Sequence, residues 1–217
     1  MPYLQEFLMI AAIHFLAVAS PGPDFAVVLK QSIRYGRVAA IYTSLGIGTG
    51  ILIHVAYSLV GIGLIIASDE RYFSVLKYIA ASYFLYIAWH GLRAKKGTFQ
   101  EQQNTVDTGN TAGPSNKKSF ITGFFINGLN VKATLFFVSL FSMVISVQTP
   151  LWIKFGYGLY MAVATAIWFC ALSYMLSHQH VRDRLINNGH WIERIMGVVL
   201  LVIAIELVMS DIGKVAV

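Results

Sequence analysis

Six stretches of this chain, 4–29, 38–67, 72–92, 120–147, 151–177 and 191–209, are each apolar over close to or more than the ~20 residues a helix needs to cross a bilayer core. Inside lipid every backbone N–H and C=O must be satisfied within the protein, and blocks of this length leave the helix as the structure open to them. The rest of the composition agrees: 57% of residues are hydrophobic, 12% are charged, and mean hydropathy is +0.65. The expected fold is an all-α membrane protein of six transmembrane helices, embedded in a lipid bilayer.

Charge sets the two sides. A net charge of +6 would suit a nucleic-acid binder if the sixteen Lys and Arg formed a patch, but they fall between the blocks on one side. Lys30, Arg34 and Arg37 follow the first block, Arg93, Lys95, Lys96, Lys117 and Lys118 the third, and Arg182, Arg184 and Arg194 the fifth. The alternate side has only Arg71, Lys77, Lys154 and Lys214. Positive-inside bias therefore expects both termini outside and no nucleic-acid partner. Ala17-Val18-Ala19 before Ser20 has the small residues of a signal-peptide cleavage site, yet no Lys or Arg precedes Lys30 to form a basic leader, so a first helix is expected to stay. The single Cys170 has no partner within the chain and says nothing of redox compartment.

Two blocks are interrupted. Ser20-Pro21-Gly22-Pro23-Asp24 puts three helix breakers and a carboxylate near the middle of the first, and a membrane carboxylate faces a bundle interior or a watery cavity. Asn127-Gly128-Leu129-Asn130-Val131-Lys132 interrupts the fourth with a cluster of polar residues near mid-span. Setting Pro21 against Val131 puts Asp24 opposite Thr134 and aligns the apolar 25–29 with 135–139. Three spans in each half reverse the second half in the membrane. The chain is therefore expected to form two inverted three-helix repeats, 1–92 and 120–217, with interrupted first and fourth helices and a polar, flexible cytoplasmic linker over 93–119.

Interrupted helices at matching places in inverted halves point to a transport site. Amino ends of half-helices attract a carboxylate, while freed carbonyls and Asp24 attract an ammonium, so a zwitterion suits the pair of breaks. Candidate substrate-binding residues are Ser20, Pro21, Gly22, Pro23, Asn127, Asn130 and Lys132, and candidates for proton coupling are Asp24 and His54. Lys132 is expected either to hold the substrate carboxylate, to pair with Asp24, or to snorkel toward the inner surface.

Other motifs have plainer readings. Gly46, Gly48 and Gly50, with Ser44, have the four-residue spacings that let membrane helices approach closely, and no strand precedes them to make a dinucleotide site. Gly156, Gly158, Ala162, Ala164 and Ala166 offer similar surfaces in the fifth block. Tyr83, Tyr86 and Trp89 read as interface anchors, and Lys154 and Glu206 as snorkelling charges. His178-x-His180 with Asp183 has a spacing that metal sites and His-x4-Asp acyltransferases use, but a short basic connection without further ligands reads as a solvated loop. No metal, no cofactor and no enzymatic activity are expected.

These residues support a resemblance covering nearly the whole chain. Ser20-Pro21-Gly22-Pro23-Asp24-Phe25, Tyr35-Gly36-Arg37, Leu45-Gly46-Ile47-Gly48-Thr49-Gly50 and Gly128-Leu129-Asn130-Val131-Lys132-Ala133 resemble the LysE/RhtB superfamily of bacterial amino-acid exporters, in its homoserine, threonine and neutral amino-acid branch. The resemblance implies proton-coupled export of an amino acid across the bacterial inner membrane, with a homodimer possible. That family commonly reads Asn-Pro-Lys in the fourth span, where this chain has Val131, so the second break is expected to be softer. A passive channel for small zwitterions and a non-transporting membrane scaffold are the other functions this pattern allows.

Overall fold

Helices carry the regular structure of the residues that the computed structural model describes, which are 2–20, 22–68, 70–95 and 113–215. In chain order these are α1 (Pro2–Ala19), α2 (Pro23–Ser68), α3 (Glu70–Leu92), α4 (Asn116–Gly128), α5 (Val131–Met143), α6 (Leu151–Leu176) and α7 (Gln179–Val215). Among the described residues two stretches are long and apolar enough to cross a membrane unaided, 23–61 in α2 and all 26 residues of α6. The pair α4 and α5, bent by 56° at its break, makes a third if taken as one span, and α1 is apolar but shorter.

Both interruptions expected of the sequence are present. Ser20 N donates to Leu16 O as the last bond of α1, and Ala26 N donates to Gly22 O as α2 begins. Pro23 opens α2, where a missing N–H costs nothing because the first turn has no partner for it. The second break does not need a proline. Asn130 caps α5 by accepting from Lys132 N at 3.0 Å, so α5 starts at Val131, bent by 56° from α4.

Three expected boundaries move. The turn expected over 30–37 is helix up to a single residue, Gly36, whose φ of 81° is open to glycine with little strain. The linker expected to reach Ser119 ends earlier, because Ser115 accepts from Lys118 N and caps α4 at Asn116. Its residues 96–112 lie outside the described set. The solvated loop expected around His178 and His180 is only a turn before α7, since no proline stands in 179–190 to stop a helix. His178, His180 and Asp183 are exposed, and no group of three or more potential metal ligands occurs among the described residues.

Small residues decide which helices touch. A Cβ on Gly46 would lie 2.0 Å from Phe120 O, and one on Gly123 would lie 2.0 Å from Thr43 O, so α2 and α4 meet backbone to backbone. Gly48 faces Ala162 and Ala166 of α6. Gly91 and Gly197 bring α3 against α7 in the same way. Two apolar clusters fill the interior: Phe84, Phe137, Leu140 and Met161 anchor one, and Val28, Leu29, Ile47 and Leu176 the other. Large apolar side chains such as Phe15, Trp152, Ile167 and Val202 cover the outside, which suits lipid rather than water.

Candidate functional site

The two breaks face each other. Asp24 sits in the first turn of α2, where the helix amino end favours an anion. Its Oδ2 accepts from Asn127 Nδ2 at 3.0 Å and from Asn130 Nδ2 at 3.3 Å, residues at the end of α4 and the start of α5. In return Lys132 Nζ donates to Ser20 Oγ at 2.9 Å, reaching from the second break to the first. Gly22 lies beside that ammonium, and a Cβ there would meet Nζ at 3.4 Å, an ordinary van der Waals contact. The charges of Lys132 and Asp24 are close enough to act on one another. Lys132 thus turns into the protein, and the snorkelling alternative does not describe it.

Further groups hold this arrangement from behind. Tyr83 OH donates to Lys132 O at 2.9 Å, which makes Tyr83 part of the site's support instead of an interface anchor; Tyr86 and Trp89 are exposed. His54 is fully buried, with Nε2 2.9 Å from Asn127 O and Nδ1 on Tyr57 OH. It does not line the cavity, and both its ring nitrogens are engaged. Gly50 lets Asn127 come close, because a Cβ there would lie 2.8 Å from Asn127 Oδ1.

A cavity of about 50 Å³ opens beside these groups. Ser20, Gly22, Pro23, Asp24, Asn127, Asn130 and Lys132 all line it. Of the expected binding residues only Pro21 is missing, and it lies outside the described residues. Ile51, Ile87, Phe136, Phe137, Phe169 and Leu200 give the cavity apolar walls. Asp24 Oδ1 and Asn127 Oδ1 are buried acceptors with no hydrogen-bond partner among the described residues. Unpaired acceptors at a buried carboxylate call for a donor.

Three contributors were not singled out from the sequence. His14 of α1 and Thr165 of α6 line the same cavity and bond to each other, with His14 Nε2 3.1 Å from Thr165 Oγ1. Glu193 of α7 is close enough for its charge to act on Lys132. Nothing local marks these residues: a lone His or Thr in an apolar block gains a site only through its neighbours in space. The acidic side chain at Glu206 lies outside the described residues.

An all-helical protein with an apolar exterior, and with two helix breaks meeting at a polar cavity, has the architecture of a membrane transporter. The pattern of the LysE type translocator family matches residues 15–211, and the chain belongs to that family. It is a transporter and not an enzyme. The threonine efflux protein of Escherichia coli K12 is 26% identical over 207 residues, covering 95% of this chain and 99% of its own. The uncharacterized membrane protein YahN of the same organism is 25% identical over 216 residues, covering 97% and 92%. The uncharacterized membrane protein YrhP of Bacillus subtilis is 29% identical over 147 residues, covering 67% and 69%. No solved structure matches the chain.

Proposed function

We propose that this protein exports a small neutral amino acid from the cytoplasm in exchange for protons, by alternating access. The observation that carries the reading is the charge inventory of the cavity: one carboxylate, Asp24, and one ammonium, Lys132, brought together by two helix breaks. A zwitterion uses both, leaving no further carboxylate or ammonium among the described residues of the cavity wall for a charged side chain. Its ammonium suits Asp24, where Oδ1 has no partner among the described residues, and its carboxylate suits Lys132. The size of the cavity favours a short side chain. Similarity to threonine efflux proteins over almost the full length supports amino-acid export.

In this mechanism Asp24 releases its proton to the cytoplasm, the site takes up the amino acid, the halves rock, and protonation from outside follows release. His54 supports Asp24 through Asn127. The same proposal includes six spans in two inverted repeats of three, with both termini outside in the bacterial inner membrane. It also includes a homodimer. The alternation of Lys and Arg between blocks supports the topology, and matching spans pack as pairs, α2 on α6 and α3 on α7.

The test is uptake of radiolabelled amino acids by proteoliposomes under an imposed pH gradient. Accumulation of a neutral amino acid above its external concentration, lost when the gradient is collapsed, is expected. Equilibration without accumulation would mean a passive pore, and no movement of any amino acid would end the exporter reading.

A further inference from the structure

The polar groups of the cavity fall into two sets. The first gathers at the helix breaks, where Asp24 and Lys132 suit the two charges that every α-amino acid carries. The second is the His14 and Thr165 pair, 2% and 1% exposed, set where the remaining walls are mostly apolar. On α1, residues 14, 17 and 18 share the cavity-facing stripe, and Ser20 ends the helix six residues after His14. At ~1.5 Å per residue that places His14 about 9 Å from the break along the helix axis. This is roughly the reach of a short amino acid with a hydrogen bond at each end.

We propose that His14 and Thr165 form the subsite that reads the substrate's side chain, favouring a short side chain with a hydroxyl over an aliphatic one of the same shape. The inference rests on the amino-acid export reading, which orients the backbone of the substrate toward Asp24 and Lys132. A hydroxyl reaching this pair adds a third member to an existing hydrogen bond, since an imidazole and a threonine hydroxyl can each both donate and accept. An aliphatic side chain leaves the pair bonded to itself, so it is admitted without that gain. The discrimination is accordingly modest, about five- to tenfold, the worth of one or two neutral hydrogen bonds. A site with only unpaired groups would discriminate far more strongly. The same pair fastens α1 to α6, so side-chain recognition and the contact between these helices share atoms.

L-threonine and L-valine are near-isosteres and serve as the probes. Transport of each by proteoliposomes gives a ratio of kcat/KM for the wild type, Thr165→Val, Thr165→Ser, and the double variant His14→Phe with Thr165→Val. The wild type is expected to favour threonine five- to tenfold. The double variant is expected to bring the ratio near one and Thr165→Ser to keep the preference, while Thr165→Val, which leaves His14 Nε2 unpaired, is expected to raise it. The double variant removes both buried polar groups together and leaves neither unpaired. An unchanged ratio in the double variant, or a wild type that moves both substrates equally well, would overturn the subsite and leave the exporter reading standing. A wild type that moves no amino acid would overturn the exporter reading itself, and the subsite with it.

Discussion

Asn127 at the end of α4 donates its side-chain amide to Asp24 at the start of α2, closing a 3.0 Å bond between residues 103 apart in sequence. It joins the two places where the chain abandons helix inside apolar sequence. Asn130 adds a second amide to the same oxygen at 3.3 Å. The carboxylate therefore acts as the common anchor of both breaks.

Removing one amide should cost more at Asn127 than at Asn130. Asn127 is fully buried and makes the shorter bond, and a hydrogen bond to a charged group is worth about 1.5–3 kcal/mol. Asn130 also caps α5, so Asn130→Ser is the variant that spares the cap while losing the reach to Asp24. Thermal melts in detergent should show a larger fall in Tm for Asn127→Leu than for Asn130→Ser. The reverse order would mean that the cap region, not the buried amide, sets the geometry of Asp24.

How much of this was legible in the sequence follows from where the information lies. Ser20 to Asp24 and Asn127 to Lys132 stand out because polar and helix-breaking residues inside apolar blocks are costly anywhere, whatever surrounds them. Gly46, Gly48 and Gly50 stand out by spacing, although only the structure shows that Gly46 meets α4 while Gly48 meets α6. Tyr83 was misread because an aromatic near the end of an apolar block looks alike whether its hydroxyl meets water or Lys132 O. His14 and Thr165 carry no local mark, since their meaning comes from a contact spanning 151 residues.

The start of α5 yields a second prediction. Val131 holds the first helical position after the Asn130 cap, a place where proline is well tolerated because its absent N–H has no helical partner there. Val131→Pro should leave transport and Tm close to wild type. Loss of folded protein in that variant would show that the Val131 N–H or its side chain is needed for the break.

Close helix contact yields a third. Alanine at Gly46 or Gly123 places a methyl 2.0 Å from a backbone oxygen of the facing helix, which neither backbone can avoid without separating α2 from α4. Both variants should express poorly or melt well below wild type. Gly156→Ala, with nothing within 4 Å of its new methyl, is the matched control and should behave as wild type. Tolerance of alanine at Gly46 would mean that α2 and α4 are not tightly joined in the membrane.

The orientation is open to direct labelling. In a Cys170→Ser background, a cysteine placed at Ser68 should react with an impermeant thiol reagent in intact cells, and one placed at Ser115 should not. In the proposed topology, 113–115 lie on the cytoplasmic side and Ser68 on the other, as positive-inside bias expects. Labelling at Ser115 without labelling at Ser68 would reverse the topology and require the exporter to face the other way.

Lys132 offers the sharpest test of how the substrate is held. Its ammonium reaches Ser20 Oγ across the cavity, in the position from which it can receive a carboxylate, and Tyr83 fixes the backbone beneath it. If it binds the carboxylate, Lys132→Gln should raise the KM for an amino acid about tenfold or more, the loss of a charge-assisted hydrogen bond. The same variant should bind the corresponding amino alcohol, which keeps the ammonium but has no carboxylate, as weakly as the wild type does. Competition by both ligands against a transported amino acid separates the cases: an equal loss for the two would make Lys132 a support of Asp24 and not a substrate contact.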